Sequence, residues 1–264
     1  MNKAIQIMGV LNITDNSFYD GGKFNNLDKS IEHAKKIIQE GADIIDIGAE
    51  SSKPGSESVP SLEQVKKLEP VVEAIREISD IPISIDTRSS EVINKLVKYK
   101  INIVNDISSL EDTELLDIIK SNNLSVSLMH MKGSPKNMQD NPNYENIISE
   151  IFLYLERKAK NCINNGIDKN KVIIDPGFGF GKTLEHNYII LNNLKKFSQL
   201  GYQVLTGISR KSMIGNVINK PPEKRLYGSL AATVIAIKNF STILRVHDVR
   251  ETKMLLNFKN LILD

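Results

Sequence analysis

Short runs of β-branched and aliphatic residues recur along the chain, each followed by a stretch whose apolar positions repeat every three or four residues. Ile5–Val10 is followed by Leu27–Glu40, in which Leu27, Ile31, Ala34, Ile37 and Ile38 fall on one helical face. Ile44–Ile47 precedes a predicted helix over Leu62–Ser79, Ile81–Ile85 one over Ser90–Lys98, and Ile101–Val104 one over Asp112–Lys120. Leu124–Met129 leads through a long loop to a helix over Asn146–Asn165, and Val172–Ile174 to one over Leu184–Leu200. Gln203–Thr206 precedes a loop and a helix over Gly228–Asn239, and Thr242–Leu244 precedes Val249–Leu261. These are eight strand–helix units without a linker, a break in composition or a low-complexity segment.

Strands that alternate with helices pair in parallel and connect by right-handed crossovers. Eight such units in 264 residues match the size of a (β/α)8 TIM barrel, here one domain over residues 1–264; the alternative is an open, doubly wound sheet. A barrel demands that functional side chains gather where strands end. The strand ends carry Asn12, Asp46, Asp86, Asn105 with Asp106, Met129 with His130, Asp175, the Gly207–Lys211 loop, and Arg245 with His247, whereas the strand starts are mostly Ile, Val and Leu. Polar strand ends also cap helices, so part of this set is structural.

Composition narrows the partners. A quarter of the residues are charged, but the net charge is only +2, so neither a polyanion nor nucleic acid is expected as a partner. The single cysteine, Cys162, excludes an intramolecular disulfide and reads as inert within a helix. The first residues lack a leader's apolar core and no run approaches a membrane span; a soluble, cytoplasmic protein is the expectation.

The densest chemistry lies in Asp175-Pro176-Gly177-Phe178-Gly179-Phe180-Gly181-Lys182-Thr183. A carboxylate on a rigid strand end can accept two parallel hydrogen bonds from an amidine-like edge. The alternate glycines let backbone approach a flat ligand, and two phenylalanines are interleaved for stacking. An ordinary strand-to-helix turn, with Asp175 as a cap and the rings packed inward, explains the stretch equally well. It is not a nucleotide P-loop, because Pro176 stands where that pattern needs glycine, nor a dinucleotide fingerprint. No His-x-x-x-His pair, cysteine cluster or Gly-x-Ser-x-Gly elbow occurs, which argues against zinc and serine-nucleophile chemistry. Ser209-Arg210-Lys211-Ser212 enters a loop suited to anions, Arg245 and His247 can clamp a phosphate, and the Asn12 amide oxygen can hold a hard cation. Solvated surface positions remain the plain reading of Lys211 and Arg245 taken singly. Together the set suits a flat, hydrogen-bonding heterocycle bearing a diphosphate.

Taken in order, these segments resemble the dihydropteroate synthases, the folate-pathway family inhibited by sulfonamides. The resemblance runs from Met8-Gly9-Val10-Leu11-Asn12-Ile13-Thr14 through Ser17–Gly22, Gly41–Gly48 with Pro54-Gly55, Ser84–Thr87, Asn105–Ile107, Met129–Met131, Asp175–Thr183 and Ser209–Ser212 to Arg245-Val246-His247-Asp248. It implies a barrel that joins 6-hydroxymethyl-7,8-dihydropterin diphosphate to p-aminobenzoate and releases pyrophosphate. On that resemblance Asp86, Asn105, Asp175 and Lys211 form the pterin slot beside Met129 and Phe180. Arg245, His247 and Asn12 hold pyrophosphate and Mg²⁺; Phe18, Ser52, Lys53, Pro54, Phe180 and Ser212 line the aminobenzoate site; and Asp20 orders the loops. Homodimers are usual in the family. A methyltetrahydrofolate-dependent corrinoid methyltransferase and a catalytically silent pterin-binding homologue are the alternatives.

The chain departs from the family pattern in two loops. Thr14-Asp15-Asn16-Ser17-Phe18 stands for the usual Thr-Pro-Asp-Ser-Phe, and Gly48-Ala49-Glu50-Ser51-Ser52-Lys53-Pro54-Gly55 for Gly-Gly-Glu-Ser-Thr-Arg-Pro-Gly. Lysine lacks arginine's bidentate fork, so a contact of Lys53 with Asp20 is expected to be looser. The expectation is ordinary pterin binding with altered affinity for p-aminobenzoate or sulfonamide.

Overall fold

The structure is a computed structural model and describes residues 4–13, 23–51 and 55–262. Strand and helix alternate in chain order: β1 (Gln6–Asn12), α1 (Lys23–Gln39), β2 (Ile44–Gly48), α2 (Ser61–Ile78), β3 (Ile83–Asp86), α3 (Ser90–Leu96), β4 (Ile103–Asp106), α4 (Glu114–Ser121), β5 (Ser125–Met129) and α5 (Ile147–Asn164). Then come β6 (Val172–Asp175), α6 (Leu184–Asn192), α7 (Leu194–Ser198), β7 (Gln203–Thr206), α8 (Ser212–Ile218), α9 (Leu226–Lys238), β8 (Ile243–Val246) and α10 (Val249–Ile262). The strands close into a barrel in sequence order. Strand β1 completes the ring by pairing in parallel with both β2 and β8. This is the TIM barrel expected from the alternation, and the open sheet is excluded.

Side chains two residues apart on a strand share a face. On the even strands the inward positions are Ile44, Ile103, Ile173 and Ile243, which pack with Met8 and Leu205 into one buried cluster. Each buried isoleucine contributes roughly 2–3 kcal/mol, and the cluster plugs the barrel with close-packed hydrocarbon. Two residues further along the same strands stand Asp46, Asn105, Asp175 and Arg245. The interior therefore changes from apolar to ionic within one pleat, about 6–7 Å of strand. Asn12, Asp86 and Met129 end the odd strands β1, β3 and β5. Outside the barrel the helices bury a stripe each; that of α5 is Ile147, Ile151, Leu155, Ala159 and Cys162, spaced at three or four residues. Burial pushes the Cys162 thiol up to about 11, the inert cysteine expected.

Three differences from the periodicity have physical reasons. Leu184–Leu200 is two helices, because Asn193 leaves helical geometry between them and donates its side-chain amide to the Ile189 carbonyl at 2.8 Å. The loop after β7 contains α8, too short for its periodicity to register. Several strands run one or two residues beyond their hydrophobic run, onto Asn12, Asp86, Asp106 and Asp175. Among the described residues, no helix is long and apolar enough to cross a membrane.

Candidate active site

The polar layer above the isoleucine plug is knit by one guanidinium. Arg245 Nε donates to Asp46 Oδ2 at 2.6 Å and Nη2 to Asp86 Oδ2 at 2.7 Å, so β8 is tied to β2 and β3 at once. Asn105 on β4 donates its amide to Asp46 at 3.3 Å. Burial opposes the Arg245 charge, but Asp46 and Asp86 outweigh it and raise its pKa. The Asp86 carboxyl is pushed up to about 7 by burial, eased by Arg245 and aggravated by Asp46, Glu50 and Asp106. Asp86 thus titrates near neutrality while Arg245 stays charged.

The loop after β6 folds back over the mouth. Asp175 Oδ1 accepts from the Gly177 N–H at 2.7 Å, which fixes the carboxylate and leaves its second oxygen for a ligand. Burial raises the Asp175 pKa against the pull of Lys211, the Gly177 N–H, Lys182 and Arg245. Gly177 has φ +73° and packs so closely that a Cβ would lie 1.9 Å from the His130 carbonyl oxygen. Lys182 then turns inward: Nζ donates to the carbonyls of Phe180 (2.9 Å) and His130 (3.1 Å) and lies 3.0 Å from His130 Nδ1. Burial depresses the pKa of both groups, Lys182 well below its ordinary value and His130 to about 3. The imidazole is neutral, and with Nδ1 as an acceptor the Lys182 amino group has three acceptors within reach, as a buried polar group requires.

Lys211 comes from the β7 loop to meet this one. Its Nζ donates to the Phe178 carbonyl at 2.5 Å and sits 4.6 Å from the centre of the Phe180 ring. Burial lowers it to about 8, with Asp175 and Asp86 pulling up and Arg245 pushing down. Asp175 and Lys211 therefore meet at the mouth, close enough for each charge to act on the other. Phe180, Met129, Met138 and Ile107 form an apolar wall beside it.

At the rim, Ser209 Oγ accepts from the His247 backbone N–H and lies 3.2 Å from its Nδ1. Loss of solvent, then the Arg245 and Arg210 cations, lowers His247 to about 4; it is neutral at pH 7. Arg210, at φ 59°, grips Asp248 through two nitrogens and clamps the β7 loop to the end of β8. Asn12 and Ser212 are exposed at the end of β1 and the start of α8. Phe18, Asp20, Ser52, Lys53 and Pro54 lie outside the described residues, as do Asp15 and Asn16.

The structure brings Asp86, Asn105, Met129, Asp175, Phe180, Lys211 and Arg245 to one mouth, with Asn12, Ser212 and His247 around it. Sequence reasoning placed Asp46 among the strand ends but gave it no specific role, although its place two residues after Ile44 marks it for the same layer. It also missed three pairings between distant segments: Lys182 with His130, Arg210 with Asp248, and Arg88 with Glu50 at 2.6 Å. No local signal reports these. Among the described residues no group of three or more His, Cys, Asp or Glu could hold a metal ion.

A barrel whose mouth pairs buried carboxylates with a lysine over an aromatic wall is built for a planar, hydrogen-bonding ring, and the chain belongs to the pterin-binding enzyme family, whose pattern it matches over residues 8–247. Its relatives within that family are dihydropteroate synthases. That of Haemophilus influenzae is 44% identical over 251 residues, covering 95% of this chain and 91% of the relative. The Yersinia pestis dihydropteroate synthase, solved with a sulfonamide drug complex, superposes with a TM-score of 0.92 at 41% identity, covering 98% of this chain and 94% of that one. The Xanthomonas albilineans enzyme in complex with 7,8-dihydropteroate superposes with a TM-score of 0.89 at 33% identity, covering 99% and 95% of the two chains.

Proposed function

We propose that the protein is a transferase that joins 6-hydroxymethyl-7,8-dihydropterin diphosphate to p-aminobenzoate, forming 7,8-dihydropteroate and pyrophosphate. The observation that carries this is the meeting of Asp175 and Lys211 at one mouth, each within electrostatic reach of the other, above the ionic layer and beside the Phe180–Met129 cluster. The likeness to dihydropteroate synthases over nearly the whole chain supports it.

In this reading the free Asp175 oxygen accepts from the guanidine-like edge of the ring, and Asp86 and Asn105 hold the rest of it. The arylamine nucleophile is neutral at pH 7, so no strong general base is needed. The barrier lies in C–O cleavage, which leaves cationic character on the ring methylene and negative charge on the diphosphate. Asp86 and Asp175 stabilise the first. Arg245 meets the second with Nη1, which has no partner among the described residues, and so keeps its Asp46 contact; His247 and Asn12 flank the same group. Lone Asn12 is a poor metal site by itself, but one amide oxygen fits a Mg²⁺ ion whose other ligands are water and diphosphate oxygens. Bound there, the ion would neutralise leaving-group charge. The reaction is dissociative and forms no covalent enzyme intermediate. Ser212 lies where the aminobenzoate would enter.

The test is turnover with both substrates and Mg²⁺, followed by pyrophosphate release. Ionised Asp86 and protonated Lys211 are both required, so kcat/KM for the pterin substrate rises with pH through about 7 and falls again through about 8. No pyrophosphate under these conditions would end the proposal. A substrate carrying a diphosphate does not cross membranes unaided, which supports a cytoplasmic location.

Helices α8 and α9 leave Val217, Ile218, Tyr227, Val234 and Ile235 exposed, with Tyr227 at 83%. A helix apolar on every side, as α9 is (Leu-Tyr-Gly-Ser-Leu-Ala-Ala-Thr-Val-Ile-Ala-Ile-Lys), needs cover on its outer face too. A second copy of the chain provides it in the proposed homodimer. Light scattering should give twice the chain mass, and Val234→Asp should halve it; a monomeric wild type at micromolar concentration refutes the dimer.

A further inference from the structure

Asp46 is a fully buried carboxylate that the proposed reaction does not use directly. It stands on β2, beside β3, whose last residue is Asp86. Its two oxygens are within reach of Arg245 Nε from β8 and the Asn105 amide from β4, at 2.6 and 3.3–3.4 Å. No other described side chain touches both of those groups. The amide orientation of Asn105 follows from this contact: with its Nδ2 turned to a carboxylate, its Oδ1 is left to face the mouth as an acceptor. The guanidinium plane is fixed likewise, because Nε is held from behind while Nη2 reaches Asp86.

We propose that Asp46 is a positioning residue, a pivot that presents the Asn105 carbonyl to the pterin ring and keeps Arg245 in place when the ring takes over Asp86. The idea rests on the functional reading above and adds a residue to it. Without the pivot, Arg245 would follow Asp86, its other carboxylate partner among the described residues, and close the slot. The Asp46 charge also faces Asp86, together with Arg245 from β8, Glu50 after β2, Asp106 from β4 and Lys211 from the β7 loop. Of these Asp46, Glu50 and Asp106 favour the protonated form of Asp86, and Arg245 and Lys211 oppose it.

Asp46→Asn preserves shape and leaves Arg245 paired with Asp86, so the barrel keeps its central ion pair and folds. The variant is expected to lower kcat at least tenfold while KM for p-aminobenzoate, which does not reach this layer, stays within twofold. The limb of the pH profile that reports Asp86 should also move to lower pH, because a neighbouring negative charge has gone and Arg245 is freed toward it. Asp46→Glu keeps the charge, so its limb stays near that of the wild type whatever its packing cost. Asp46→Ser reads the same limb should the asparagine variant not give folded protein. A purely structural role would lower the melting temperature and leave both the limb and the kcat of the folded fraction unchanged; that result overturns the inference. A wild type that makes no dihydropteroate instead defeats the functional reading, and the inference with it; an active wild type with an indifferent Asp46→Asn defeats the inference alone.

Discussion

Asp175→Asn should lower kcat/KM for the pterin substrate by about a hundredfold, roughly 2.7 kcal/mol of transition-state stabilisation. The size follows from how the carboxylate is already engaged. One oxygen accepts from the Gly177 N–H at 2.7 Å. Asparagine must keep its single oxygen there, which turns its NH₂ group toward ring donors, or surrender that bond and loosen the loop. Either way one acceptor is missing in a buried site, where an unmet polar group costs about 1–3 kcal/mol. The lost charge adds to this, since the Asp175 anion raises the pKa of Lys211 against the cost of its burial. Steady-state kinetics decide the matter: a fall of less than tenfold, about 1.4 kcal/mol, means the carboxylate does not grip the ring.

Gly177→Ala should cost the most stability of any alanine placed at a described glycine. The residue sits at φ +73° and the new Cβ would lie 1.9 Å from the His130 carbonyl oxygen. Backbone cannot swing aside as a side chain can, and that carbonyl also receives the Lys182 ammonium. The left-handed conformation alone costs alanine roughly 1–2 kcal/mol, and relieving the collision means separating the β5 and β6 loops. We expect a total above about 3 kcal/mol. Gly55 provides the control: its φ is +79°, but none of the described residues lies within 4 Å of its Cβ position, so among them Gly55→Ala meets the conformational term alone. Equal denaturation midpoints for the two variants would show that the β5–β6 contact does not matter.

The order of strands and helices could be read from the chain because each element buries a periodic stripe, and periodicity survives without tertiary information. Strand ends were read short for the reason that makes them interesting. The hydrophobic runs of β3 and β6 end at Ile85 and Ile174, where Asp86 and Asp175 begin, although the backbone pairing continues through both. Most of the mouth was legible once strand ends were taken as a set. What escaped was pairing across the chain: Asp46 and Arg245 are 199 residues apart, and only barrel closure makes them neighbours. Lys182 was visible in its motif, yet nothing local says that it bends back to a histidine 52 residues earlier. Asn193 carries no periodicity signal of a break, because its interruption depends on local backbone geometry rather than polarity.

The hydrocarbon stopper made by Ile44, Ile103, Ile173 and Ile243 gives the vessel a single opening. Under the proposed chemistry, entry through that neck is ordered: the bicyclic ring settles on the ionic floor before the aromatic acid can close over it. The coupled product, anchored at its deeper end, must then withdraw whole before the next ring can descend.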